Sequence, residues 1–160
     1  MQTDVKSYIA KESGTVINYR TRLKALTVSP ASASLRNIAI ADPTVSKSGT
    51  WSRTGTTVTV TINDNGLTNG QRVFLDVATG TTMRDGVYEV SNVTTNTFTV
   101  TSATSGVASG TVTMYTNLLL EVDTFNTLSL PIVVPGEGLL CKNGMFVGLG
   151  ANMTVTIFYG

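Results

Sequence analysis

The chain has 160 residues, 41% apolar and only 13% charged, with a net charge of +1, no histidine and one cysteine. That length supports one ordinary domain or two small ones with a real core, and apolar content this high with charge this low excludes disorder. The balance of charge gives no footing for nucleic acid, Cys141 excludes an intrachain disulfide, and the missing histidine removes the commonest catalytic base.

Met1 to Ser13 is polar with weak periodicity and reads as an N-terminal arm or a frayed end. It lacks the basic-then-apolar order of a signal peptide, so synthesis in a cytosol is expected. From Gly14 the texture becomes that of a β-protein. Val16, Tyr19 and Arg22 to Val28 read as strand, with Leu23, Ala25 and Val28 competing for the inner face. Ser29-Pro30-Ala31-Ser32 reads as a turn, and Leu35 to Ile40 as a strand stopped by Asp42-Pro43.

Residues 47–115 form the most threonine-rich part. Thr57-Val58-Thr59-Val60-Thr61-Ile62 alternates strictly, and Asn65-Gly66 then supplies a tight turn. Asn69-Gly70 precedes Arg72 to Val77, Asp85-Gly86 turns into Val87 to Val90, and Thr97 to Thr101 and Thr111 to Met114 follow. About five strands at this spacing predict a small barrel-like module. After Asn117 the first texture returns. Leu118 to Val122, Leu128 to Ile132, Leu139 to Cys141, Met145 to Leu149 and Met153 to Tyr159 read as strands, with Pro131 arguing for an edge or a bulge. No apolar run approaches the roughly 20 residues that span a bilayer, so no membrane partner is expected.

The expected fold is all-β: a jelly-roll-like or Ig-like sandwich built from 14–46 and 116–160, with 47–115 inserted and 1–13 as an arm. The alternative is one continuous sandwich of about a dozen strands.

For chemistry, no Ser-His-Asp or Cys-His arrangement is possible without histidine. Asp64, Asp76, Asp85 and Glu89 share the central module, where Asp64 and Asp85 occupy turn positions suited to capping backbone amides. Zinc would need more than Cys141, and the loop at Asn63 to Gly66 is too short for an EF-hand, so no metal or other cofactor is expected. Cys141 reads as a packing residue. The candidate contact residues are therefore non-catalytic. Arg20, Arg22 and Lys24 alternate on one strand face, Trp51 and Arg53 open the inserted module as core plug or anchor, and Phe125 sits in a polar turn.

Leu67 to Leu75, Gly86 to Val90 and Asn96 to Val100 resemble a β-module that recurs in virion and tail proteins of tailed bacteriophages, and also the β-barrel half-domain of ubiquitin-activating enzymes without that enzyme's machinery. Arg20 to Leu26, Pro135 to Leu140 and Thr154 to Gly160 are similar to small structural proteins of marine and cyanobacterial podoviruses. The resemblance implies a non-enzymatic virion component, a capsid decoration or cement protein. Its partners would be the major capsid protein and copies of itself in a homotrimer. The other reading is a tail or adsorption component touching host surface carbohydrate, which requires Trp51, Tyr88 and Phe98 to be exposed. A polysaccharide hydrolase would instead require a carboxylate pair in a cleft.

Overall fold

A computed structural model describes residues 4–31, 36–78, 83–124 and 128–160, and these are strand and connection. The all-β expectation holds. The chain divides into two compact units, Met1–Thr44 with Leu119–Gly160, and Val45–Leu118.

The first unit contains β1 (Lys6–Ala10), β2 (Gly14–Ile17), β3 (Thr21–Pro30), β4 (Arg36–Ala41), β9 (Leu118–Thr124), β10 (Leu130–Val133), β11 (Leu139–Cys141), β12 (Met145–Leu149) and β13 (Met153–Tyr159). One sheet runs β1-β13-β3-β10, with β11 also on β3, and the other runs β2-β12-β4-β9. β3 pairs antiparallel with β13, β10 and β11, as β12 does with β2 and β4. Leu23, Leu26, Val28, Val155 and Ile157 of the first sheet share one core with Ile38, Ile40, Met145, Val147 and Leu149 of the second. Two sheets over a common apolar layer make a sandwich.

The first residues are not wholly an arm. Lys6–Ala10 forms β1, in register with the last strand from Lys6 opposite Tyr159 to Ala10 opposite Val155. Ladder hydrogen bonds to β13 and the burial of Ala10 order a stretch whose composition alone offers little to bury. Ser29 and Pro30, expected to open a turn, instead continue β3, with Pro30 opposite Met153, and Ser32 of that turn lies outside the described residues.

The competition among Leu23, Ala25 and Val28 has a geometric answer. Tyr159 faces Leu23 and Phe158 faces Ala25, so Lys24 is an extra residue in β3. This bulge shifts the alternation by one, and the inner face reads Thr21, Leu23, then Leu26, Val28, Pro30.

The second unit contains β5 (Ser46–Thr61), β6 (Arg72–Val77), β7 (Gly86–Glu89) and β8 (Thr97–Tyr115), in the open order β5-β8-β6-β7. The segments expected as separate strands at 97–101 and 111–114 belong to one long strand. β5 and β8 form a single ribbon from Ser46 opposite Tyr115 to Thr61 opposite Thr97, interrupted where Gly55 faces Gly106 and Thr57 faces Thr101. Gly55 and Gly106 have φ of 66° and 148°, conformations that glycine adopts without a side-chain clash. The ribbon bends there instead of ending. The bend brings Gly49 against the other half of its own strand, where an added Cβ would lie 2.1 Å from the Thr61 carbonyl oxygen. Trp51, Val58, Val60, Ile62, Val73, Leu75, Phe98, Val112 and Met114 fill the interior of the curl.

Candidate interaction surface

The sandwich fixes which of its backbone groups face outward. In the first sheet, Gly160 and Arg22 exchange both backbone hydrogen bonds, so the even residues at the end of β13 bond to β3. Its odd residues then bond to β1, through Lys6, Tyr8 and Ala10. Val5, Ser7 and Ile9 are left with backbone groups turned away from the sheet. At the opposite edge Val134 donates to the Lys24 carbonyl at 2.9 Å, so the even residues of β10 bond to β3. Pro131 therefore directs its missing N–H outward, which is where an edge strand tolerates proline.

Both edges carry apolar side chains in solvent. Beside β1, Val5 is 53% and Ile9 58% exposed, with Tyr8 also exposed; beside β10, Leu128 is 71% and Val133 76% exposed. Sequence reasoning did not single these residues out, although adjacent Tyr8 and Ile9 carry a signal. Neighbours in a strand point to opposite faces, so one-sided burial cannot cover both.

The basic stripe has a local task. Arg22 Nη1 donates to the Gly138 carbonyl at 3.2 Å and Nη2 lies 3.5 Å from Glu137 Oε2, while Lys24 Nζ donates to the Glu137 carbonyl at 2.8 Å. The two side chains hold the turn between β10 and β11. Arg20 lies exposed just before β3. In the second unit Trp51 is core, and Arg53, 3% exposed, is buried beside it. The Arg53 guanidinium donates to Ser102 Oγ at 3.1 Å, Thr104 O at 3.0 Å, Thr104 Oγ1 at 2.7 Å and Ser105 O at 3.4 Å. It pins the four-residue bulge beside Gly106, so Trp51 and Arg53 build the bend and present no contact surface of their unit. Phe125 lies outside the described residues.

Two further clusters carry titratable groups. Burial pushes the Asp85 carboxyl up to about 6; the bond that it accepts from the Val77 N–H at 2.7 Å opposes this rise, and the nearby Asp76 charge adds to it. Burial raises Asp76 as well. Tyr88 is pushed up to about 12, chiefly by burial and then by Asp85, and it donates to the Arg84 carbonyl at 2.6 Å. The geometry is that of a carboxylate closing the β6–β7 connection. Asp42, buried in the first unit, accepts from Thr44 N at 2.9 Å, Thr44 Oγ1 at 2.7 Å and Asn143 Nδ2 at 2.7 Å. It ties the end of β4 to the β11–β12 turn. Burial, with Asp42 nearby, pushes the Cys141 thiol up to about 11, as befits a packing residue. Among the described residues, no three acidic or sulfur side chains converge as a metal cage.

No protein family and no curated protein matches the chain. Among solved structures it is similar to the phage phi92 endosialidase, at 21% identity and a TM-score of 0.32. The match covers 82% of this chain and 20% of that one, so the chain spans about a fifth of that protein's length. A likeness this distant carries no argument about activity.

Proposed function

We propose that this chain is a non-enzymatic structural protein of a tailed-bacteriophage virion, acting as a decoration or cement protein on the capsid. The observation that carries the reading is the pair of open apolar edges on one sandwich sheet, at Val5, Tyr8 and Ile9 and at Leu128, Leu130 and Val133. An exposed edge with apolar side chains is a template and a cover site for another polypeptide. On a symmetric shell, a modest contact of this kind repeats many times and becomes firm attachment.

The adsorption reading needed flat exposed rings. Trp51 and Phe98 are buried and Tyr88 is half-buried, so these three residues do not offer the two or more flat rings on one face that a sugar platform needs. A hydrolase reading would need a carboxylate pair in a cleft, with Asp76 and Glu89 as its members, but the carboxyl that senses Asp76 is that of Asp85, raised first by burial and only last by the Asp76 charge. The bond from Val77 N–H to Asp85 gives that carboxylate a structural task instead. Polysaccharide cleavage that is abolished by Asp76→Asn would restore the hydrolase reading.

The test is the copy number of this chain in purified virions, measured by quantitative mass spectrometry against the major capsid protein. Copies in the hundreds, of the order of the capsid lattice, are expected. A few dozen or fewer would move the protein to a tail or vertex, and absence would overturn the virion assignment.

A further inference from the structure

We propose that β1 is a self-pairing edge, at which two copies of this chain join their first sheets across a two-fold axis. This shares the open-edge observation with the virion reading, but it is tested on the purified chain alone, so the two fail separately.

The two edges of the sheet differ in kind. Along β10, Pro131 removes a donor from the outward row, which blunts strand addition there. The described part of the β1 edge has no such device. Val5, Ser7 and Ile9 present backbone groups outward in an unbroken odd-numbered series, and Lys6 is the only charge within the strand. Ile9, on the outer face opposite Thr156, stays more than half exposed, as does Val5. A partner strand would therefore gain both ladder bonds and apolar cover.

The occupant is identified by what β1 itself offers. An antiparallel two-fold pairing places residues of equal parity opposite one another, so only a few registers are open. Centring the axis on Ser7 sets Val5 against Ile9 of the second copy, twice. On the other face it sets Lys6 against the ring of Tyr8, a favourable cation–aromatic arrangement. Roughly six backbone bonds close in this register, two for each closely spaced pair. Centring on Tyr8 opposes Ser7 to Ile9 and brings Asp4 against Glu12, a like-charge pair. Centring on Ile9 draws Lys11 and Glu12 into the ladder, and both lie beyond the end of β1 in a bend. The Ser7 register matches apolar to apolar and keeps the pairing within Val5 to Ile9.

Sedimentation velocity of the full chain across a concentration series tests this. A reversible dimer is expected, weakened roughly tenfold or more by Ile9→Asp, since two symmetric contacts are lost together. Val133→Asp, on the other edge, should leave the dimer intact. Circular dichroism of each variant checks that the fold survives, which the exposure of both positions favours. Ser7→Cys reads the register. Facing Cα atoms in a closely spaced pair lie about 5.5 Å apart, within disulfide reach, so oxidation should link two chains through Ser7→Cys and not through Tyr8→Cys. The native Cys141 is buried and does not confuse the readout. A strict monomer, a trimer or dimer indifferent to Ile9→Asp, or cross-linking through Tyr8→Cys alone would each overturn the proposal.

Discussion

The Asp85 carboxyl answers to two opposing demands. It accepts the Val77 N–H at 2.7 Å, a bond that favours the charged form, yet burial and the neighbouring Asp76 charge favour the neutral one and prevail. With a folded value of about 6 against roughly 3.9 for an unfolded aspartate, the folded chain holds this proton more tightly than the unfolded chain does. The stability from this group is therefore full below about pH 4 and is lost as the pH rises through about 6. Asp85→Asn keeps an oxygen acceptor for Val77 and removes the charge. The expected outcome is a melting temperature higher than that of the native chain at pH 7.5 and a flatter profile from pH 4 to 7, with a residual slope from Asp76. Thermal melts across that range check it, and a native profile that is already flat would refute it. The sequence made Asp85 legible as a turn-capping residue, because Asp-Gly punctuates strands. It could not show that Asp76 shares its surroundings, since that depends on how β6, β7 and β8 pack.

Among the elements, the bent β5–β8 ribbon is the one whose geometry depends most on single residues. Gly49 lies so close to Thr61 that an added methyl would sit 2.1 Å from a carbonyl oxygen and 2.6 Å from Ile62 Cγ1. Backbone cannot step aside as a flexible side chain can. Gly49→Ala should therefore destabilise the inserted unit by at least about 2 kcal/mol, at the upper end of overpacking costs. Gly14→Ala, where an added Cβ meets nothing within 4 Å, should cost well under half of that. Urea denaturation of the two variants makes the comparison, and equal midpoints would show that the ribbon does not close as tightly as described. Alternation made Thr57 to Ile62 readable as strand at once. The opening half of β5 was harder, because Ser46 to Gly55 alternates small polar residues around only Trp51 and a buried Arg53. A buried arginine looks polar in sequence and breaks the pattern. The bulge at Lys24 hid the inner face of β3 in a similar way, since a single extra residue reverses the phase of every residue after it.

For the whole molecule, the resumption of the first texture after Asn117 signalled that the two ends of the chain belong together. The change in composition marked an insertion because the module has its own apolar alternation and turns. The open edges were not legible, since exposure at an edge depends on which strand comes last in a sheet, and that is a property of topology. The sandwich core draws on β1 to β4 and β9 to β13. β4 and β9 are hydrogen-bonded neighbours, and the inserted unit leaves the chain after one and returns it before the other. Asp42 fixes the exit by its bonds to Thr44 and Asn143, all within the sandwich. Replacing residues 46–117 with a short Gly-Ser linker should therefore leave a folded sandwich, because closing a short loop between neighbouring strands costs little entropy. The expected result is a cooperative thermal transition and dispersed amide resonances from the shortened chain. If the shortened chain also keeps its dimer, the β1 edge acts without the inserted unit, and the unit is free to carry a different contact. A collapsed spectrum without a transition would mean that the insertion is needed to build the sandwich. In a shortened chain that folds, Asp42→Ala should lower the unfolding free energy by about 1–3 kcal/mol, the cost of leaving buried donors unmet.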